Sequence, residues 1–245
     1  MQVKCIGIIG FGDFGQFLFR LAKEHRPDIT IKVFSSRKAP DGADFFSLED
    51  VCKTDLLLVC VPIAAFEETI TKIQPLLGAE TIVCDVATVK KHTSTVLREK
   101  GIPRFISTHP MFGPYSYEKQ GNSLENLRVT LCDSSLTAEE MISVTTFLRN
   151  AKLTVLEMTS DEHDRLVAET LFLTHLIGQT VKKGGFERTS IDTVSFGFLM
   201  DAVESVADDD AVVRDVDSFN SYCKDVLSRF EKAEHETARS LGNKI

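Results

Sequence analysis

KCIGIIGFGDFGQFLFRLAKEHRPDITIKVFSSR, Lys4 to Arg37, is the stretch on which the fold turns. Ile6, Ile8 and Ile9 form a short apolar run, as a buried parallel strand would. Gly10-Phe11-Gly12-Asp13-Phe14-Gly15 follows at once, and Phe14, Phe17, Leu18 and Leu21 then recur at helical spacing. A second apolar run covers Ile29 to Phe34. Strand, glycine turn, helix and strand within about 30 residues make the context in which a GxGxxG predicts a dinucleotide site. Gly10 permits the tight turn, Gly12 lets backbone approach a pyrophosphate, and Gly15 lets the helix sit close to the strand. Phe11, Asp13 and Phe14 complete the phosphate loop, where free helix N–H groups meet the anion.

The end of the second strand points to the nucleotide. An NAD site usually carries an acid there, whereas this chain has Ser35, Ser36, Arg37 and Lys38, with no acid before Asp41. A guanidinium can fork onto a 2′-phosphate and the hydroxyls can donate to it, so the expected cofactor is NADP.

Working outward, Asp55 to Pro62 reads as a near-continuous apolar strand. Its end at Val61 and Pro62 should lie beside the cofactor, because open α/β sheets bind ligands outside the carboxyl ends of their strands. Ser47 to Cys52 reads as a short helix, and Phe66 to Leu77 as a helix interrupted near its end by Pro75. Thr81 to Asp85 and Phe105 to His109 read as strands, with a helix over Val89 to Lys100 between them. Pro110 to Pro114 carries too many breakers to continue the strand, and Tyr115 to Asn126 reads as a polar loop. Leu127 to Cys132 and Leu153 to Glu157 are strand-like, separated by a helix over Ala138 to Asn150 capped by Thr137 or Ser135. The alternation predicts an α/β chain: a Rossmann doubly wound, mostly parallel sheet over residues 1–157. Residues 158–245 read as an all-helical domain for dimerisation and substrate, from periodic runs at Asp161 to Lys183, Ile191 to Val206 and Val213 to Phe230. So few helices have little core of their own, and their apolar faces predict a homodimer. Asp208-Asp209-Asp210 reads as a solvated helix break.

Composition narrows the partners. The chain has 245 residues, 43% hydrophobic and 26% charged, with net charge −8, which disfavours nucleic acid and anionic membrane surfaces. Met1-Gln2-Val3-Lys4 leads straight into the first strand, so no signal or transit peptide is expected. The six cysteines form no CxxC and read as reduced core residues of a cytoplasmic protein, with no metal role.

A nicotinamide site needs a group that moves a proton while the cofactor takes a hydride. His25, His92 and His235 lie in polar stretches and read as surface. His109 ends a core strand on the expected cofactor side and is followed by Pro110, which suits a general base. His163 and His175 lie 12 residues apart in the long helix, about 120° apart in phase, so at most one should face the cleft.

Thr108-His109-Pro110-Met111-Phe112-Gly113-Pro114 resembles the signature of the prephenate/arogenate dehydrogenase family, which makes tyrosine. The glycine turn followed by Ser36-Arg37 is similar to the family's plant-like, NADP-preferring branch. Asp85-Val86-Ala87-Thr88-Val89-Lys90 resembles its Asp-x-x-Ser-x-Lys segment. Glu162-His163-Asp164 and Thr174-His175 fall where the family has a His-Asp and a Thr-His pair on its first dimerisation helix. The resemblance implies oxidative decarboxylation: the substrate's C4 gives hydride to the nicotinamide, His109 accepts the 4-hydroxyl proton, and the ring carboxylate leaves as CO2. Thr88 would orient the substrate hydroxyl or His109, with a methyl that the family's serine lacks. An acid a few residues after the Gly-Pro favours arogenate in this family. The equivalent here is Lys119 or Gln120, which favours prephenate, although Glu118 is adjacent. Arg165 and Arg188 are candidates for holding the ring carboxylate. Arogenate dehydrogenase, a dual-substrate cyclohexadienyl dehydrogenase, a β-hydroxyacid or imine reductase using Lys182 or Lys183, and a non-catalytic NADP-binding sensor remain as alternatives.

Overall fold

The computed structural model describes residues 3–206 and 209–242. Two compact units divide the chain, Met1–His163 and Asp164–Ile245.

Seven strands, counted among the described residues, build one sheet in the first unit: β1 (Cys5–Ile9), β2 (Thr30–Phe34), β3 (Leu56–Val59), β4 (Ile82–Asp85), β5 (Phe105–Pro110), β6 (Arg128–Ser134) and β7 (Thr154–Glu157). Their order is β2-β1-β3-β4-β5-β6-β7. Every neighbouring pair is parallel except β5 with β6. The expected doubly wound, mostly parallel sheet is therefore present, and one antiparallel step turns its far end.

Alternation along the strands explains the two covered faces. Ile9, Leu57, Val59, Val83 and Phe105 pack on one side with Val51, Phe66, Ile70, Val96 and Leu97. Those helical residues come from α2 (Leu48–Val51), α3 (Phe66–Ile73) and α4 (Lys90–Glu99). Ile8, Ile31 and Val33 face the other side with Phe19 and Ala22 of α1 (Asp13–His25). Ile82, Cys84 and Ile106 join them there with Met141, Val144 and Leu148 of α6 (Ala138–Asn150). Phe66 is fully buried, and Phe66→Ala would cost about 3–5 kcal/mol through lost transfer energy and the cavity left behind.

Local chemistry sets the helix ends. Thr137 caps α6: its Oγ1 accepts from Glu140 N at 3.3 Å, while Glu140 Oε2 accepts from Thr137 N at 2.9 Å. That backbone donor, with Arg104 and the Thr137 hydroxyl, holds the Glu140 carboxyl down to about 2. Ser135 accepts instead from Phe105 N at 2.8 Å. Pro75 ends α3 as expected, the chain passing into a 3-10 turn over Gln74–Leu76.

Four sequence expectations need correction. β5 runs one residue further, and Pro110 pairs with Val129. Part of the expected 115–126 loop is the short helix α5 (Pro114–Lys119), with Pro114 in its first turn and Ser116 Oγ accepting from Gly113 N at 3.0 Å. The long helix is α7 (Ser160–Val167), a π turn over Ala168–Phe172, and α8 (Leu173–Lys183). The run read as one helix over Val213 to Phe230 is two, α10 (Asp210–Phe219) and α11 (Cys223–Ser240). Asn220 makes the break: its backbone is extended, its Nδ2 donates to Asp164 O at 2.7 Å, and its Oδ1 accepts from Tyr222 N at 3.0 Å.

The second unit also holds α9 (Val194–Ser205), capped by Thr193, whose Oγ1 accepts from Phe196 N at 3.2 Å. Gly178 lets α8 approach the end of α9, for a Cβ there would meet Val206 Cγ2 at 2.5 Å. Ile191, Val194 and Phe198 are exposed, and the last two share a helix face. Of the acidic patch, Asp208 lies outside the described residues, and Asp209 precedes α10 as its cap residue. Among the described residues no helix is long and apolar enough to cross a membrane.

Candidate active site

β1, β3, β4 and β5 run parallel, so the segments that follow them emerge along one edge of the sheet. The glycine turn is stitched into that edge. Gly10 N donates to Phe34 O at 3.1 Å, joining it to the end of β2, and Cys60 N donates to Ile9 O at 2.7 Å, joining it to the end of β3. Each glycine can be assigned a reason. Gly10 has φ +95°, and a Cβ there would lie 2.2 Å from the Cys60 carbonyl oxygen. A Cβ on Gly15 would lie 2.1 Å from Gly10 O, so the start of α1 can approach the strand only as glycine. At Gly12 a Cβ would meet nothing within 4 Å. No protein atom demands glycine there, so a side chain would fill the space in front of the helix start, where a pyrophosphate fits. Gly12 offers no side-chain cap, which leaves the first-turn N–H groups of Asp13, Phe14 and Gly15 for such an anion.

Phe11 packs edge-on against Phe19 and Phe45, which fixes the loop from beneath. Beyond β2, Ser35 is buried and its Oγ accepts from Arg37 N at 3.3 Å. Ser36 and Arg37 are exposed on the same turn, while Lys38 lies over the Phe45 ring. Val61 is half-buried and Pro62 exposed just past β3.

The next two strand ends carry a buried polar cluster. Asp85 and Lys90 side chains are both 0% exposed and meet at 2.6 Å. Lys90 Nζ also donates to Thr108 O at 2.6 Å. Asp85 further accepts from Thr93 Oγ1 at 2.5 Å, Ser107 Oγ at 2.9 Å and Ala87 N at 2.8 Å. A buried ion pair is tolerated when its spare lone pairs and protons are used in this way. The cluster ties the β4–α4 turn, with half-buried Thr88 in it, to β5 one residue before His109.

His109 is 5% exposed and His163, on α7, is 1% exposed. His109 Nδ1 lies 3.0 Å from His163 Nε2, the rings inclined at 72°. Burial, the His163 ring and the Lys90 ammonium all push the His109 imidazole well below the ordinary histidine value. It is therefore neutral near pH 7 and available to take a proton. Sequence reading singled out both histidines without pairing them, since 54 residues separate them and no periodicity links a strand end to a helix so far away. The Asp85–Lys90 segment was noticed as a motif, but its role in bracing β5 becomes visible only in three dimensions.

Most of the other candidates have partners of their own. Lys119 Nζ donates to Tyr115 Oη at 3.1 Å and Gln120 Nε2 to Glu125 O at 2.6 Å, both on the surface around α5. Glu118 lines a cavity of about 230 Å³ with Arg20 and Glu24 of α1. His175, in the second unit, has Nδ1 at 2.8 Å from Leu171 O and Nε2 at 3.3 Å from Asp209 Oδ2. Arg165 is exposed, and Arg188 is gripped by Asp201 and Glu204. Of the surface histidines, His25 bonds Tyr117 Oη at 3.1 Å. The cysteines are reduced thiols, and burial pushes Cys84 and Cys223 up to about 12.

The sequence profile of the prephenate dehydrogenase nucleotide-binding domain matches residues 37–156. The chain is 29% identical over 216 residues to arogenate dehydrogenase 2, chloroplastic, of Arabidopsis thaliana, covering 83% of this chain and 60% of that protein. It is 26% identical over 234 residues to the cyclohexadienyl dehydrogenase of Zymomonas mobilis, covering 87% of this chain and 80% of that one. This chain thus spans less than two thirds of the Arabidopsis relative. A crystal structure of prephenate dehydrogenase from Aquifex aeolicus, in complex with hydroxyphenyl propionate and NAD+, shares the fold at TM-score 0.74 and 18% identity, over 100% of this chain and 94% of that one. Motif and profile agree in their similarity to the prephenate/arogenate dehydrogenase family, and the fold is one that a solved prephenate dehydrogenase shares.

Proposed function

We propose that the chain is an NADP-dependent dehydrogenase of tyrosine biosynthesis that oxidatively decarboxylates prephenate to 4-hydroxyphenylpyruvate, with arogenate as the second substrate. The carrying observation is a buried, neutral His109 at the carboxyl edge of the sheet, the edge that also bears the glycine turn.

The nucleotide, when bound, supplies the hydride acceptor. The backbone around Gly12 and the start of α1 would hold its pyrophosphate, beside Val61 and Pro62. Arg37, Ser36 and Ser35 would hold the 2′-phosphate, a task that a guanidinium performs well and an acid would oppose. With the shared proton of the histidine pair on His109 Nδ1, His109 Nε2 keeps the free lone pair. That nitrogen takes the proton of the 4-hydroxyl as hydride leaves C4, and Thr88 orients the hydroxyl. The ring carboxylate then departs as CO2, its bonding pair aromatises the ring, and His109 returns the proton to the phenolate oxygen. Alignment and one base are what such a step needs from the protein.

Prephenate is preferred on the residues around α5. Lys119 and Gln120 offer nothing to the ammonium that arogenate carries. Glu118 lines the cavity beside Arg20 and Glu24, about 10 to 16 Å along α1 from its nucleotide end. The Arabidopsis relative's name favours arogenate, so both substrates belong in the test. The apolar face at Ile191, Val194 and Phe198 supports a homodimer through the second unit, and six free thiols suit a reducing compartment such as the cytoplasm.

The test follows NADPH absorbance with prephenate or arogenate and NADP or NAD. The expected result is turnover with a higher kcat/KM for NADP and for prephenate. His109→Asn should lower kcat by about 100-fold or more while leaving nucleotide affinity unchanged. No turnover with either substrate, or near wild-type turnover of His109→Asn, would overturn the reading.

A further inference from the structure

The histidine pair is only as good as the placement of α7, and a separate set of polar groups fixes that placement. Ser160 lies three residues before His163, one helical turn away on the same side. It is buried, and its hydroxyl donates to Asp133 Oδ2 of β6. Ser94 Oγ of α4, also buried, lies 3.2 Å from Ser160 Oγ. Arg98 of α4 grips the other carboxylate oxygen, Asp133 Oδ1, at 2.8 Å. Burial works against the Asp133 charge, yet Ser160, Arg98 and Ser94 together hold its carboxyl below the usual value. The acceptor thus stays ionised, which gives charge-assisted bonds to the groups around it. By contrast, Lys91 and Asp161 meet at 2.6 Å with both side chains more than half exposed, so water and salt screen them.

Asp133 sits on a strand that also touches the base. In β6, Thr130 pairs with His109 and Leu131 with Thr108. One strand therefore holds His109 through its backbone and the foot of α7 through a side chain, and α4 closes the ring. A hydrogen bond at 3.0 Å between two buried rings tolerates little displacement of either.

We propose that Asp133 and Ser160 are positioning residues: they set the first turn of α7 so that His163 Nε2 meets His109 Nδ1 and orients the ring that takes the substrate proton. The proposal rests on His109 being the base, and its test is chosen to separate the two claims. NMR titration of the histidine rings of the full chain needs no turnover; kinetics with NADP and prephenate or arogenate do. Ser160→Ala and Asp133→Asn should lower kcat by roughly 10- to 100-fold, the scale of a small misplacement, with the KM for NADP unchanged. With His163 displaced, His109 should titrate at higher pH, and the acid limb of kcat/KM should move up with it. Ser160→Thr restores the hydroxyl and should return both readouts to wild type, whereas Lys91→Ala should leave them unmoved. An unchanged His109 titration with kcat within about twofold of wild type would overturn the proposal. If Asp133→Asn does not fold, Ser160→Ala, which keeps the Arg98–Asp133 pair, decides alone. Should His109→Asn keep its turnover, the base assignment fails while the ring titration still reports on the clamp.

Discussion

In the unit Met1–His163 an ammonium and a carboxylate, Lys90 and Asp85, are wholly buried, while in Asp164–Ile245 Ile191, Val194 and Phe198 are 86%, 76% and 71% exposed. The first unit hides charge and offsets the cost with a full set of partners. The second, among its described residues, leaves these large apolar side chains exposed. A sheet with helices on both faces can bury its own core and still place polar groups inside for a site. A few helices have less core of their own and expose more apolar surface.

Removing Lys90 attacks the first half of this contrast. Lys90→Met leaves the Asp85 carboxylate buried without its cation and should lower unfolding free energy by about 3–5 kcal/mol in a urea titration. Adding Asp85→Leu should not restore stability, because Ala87 N and the Ser107 hydroxyl would lose the carboxylate that accepts from them. A near-neutral Lys90→Met would mean that the pair is not under the strain its burial implies. Phe198→Glu addresses the second half. If a second copy covers that face, sedimentation should show the dimer dissociation constant rising by at least about tenfold. An unchanged mass distribution would move the interface elsewhere.

Proton linkage gives a smaller effect, confined to the first unit. The His109 pKa is depressed in the folded chain, so below the ordinary histidine value of about 6.5 the unfolded chain takes up a proton that the folded one refuses. Its contribution to stability is complete above that pH and is lost as pH falls through it toward the lowered native value. Urea midpoints should therefore drop between about pH 7.5 and 5.5, and His109→Asn should flatten part of that slope. An equal slope in the variant would assign the loss to other groups.

What could be read from the chain alone follows the same division. Gly10, Gly12 and Gly15 lie within six residues, and their reasons are local: a positive φ, an open approach and a close helix. The strands were legible because a buried parallel sheet writes itself as continuous apolar runs. Thr137 and Pro75 announced their helix ends through chemistry that acts within four residues. Asn220 did not, for it breaks a periodic apolar pattern by reaching back 56 residues to Asp164 O. The short helix at Pro114 was hidden by the prolines and glycines around it. His109 was visible as a strand end beside a proline, but the ring 3.0 Å from it and the aspartate bonded to Ser160 come from two distant segments, α7 and β6. Long-range side-chain geometry leaves no period in a sequence, so the site was legible as a set of residues and not as an arrangement.

The π turn over Ala168–Phe172 accommodates one more residue than a regular helix would use there. It lets the imidazole-bearing turn upstream and the apolar rows downstream each keep their own phase, as a washer lets two bolted plates be aligned separately. Loss of a single codon in this segment would turn the bulge back into regular helix, with α8 keeping its phase. A helix built this way tolerates the gain or loss of one residue without turning Gly178 off the face that meets α9.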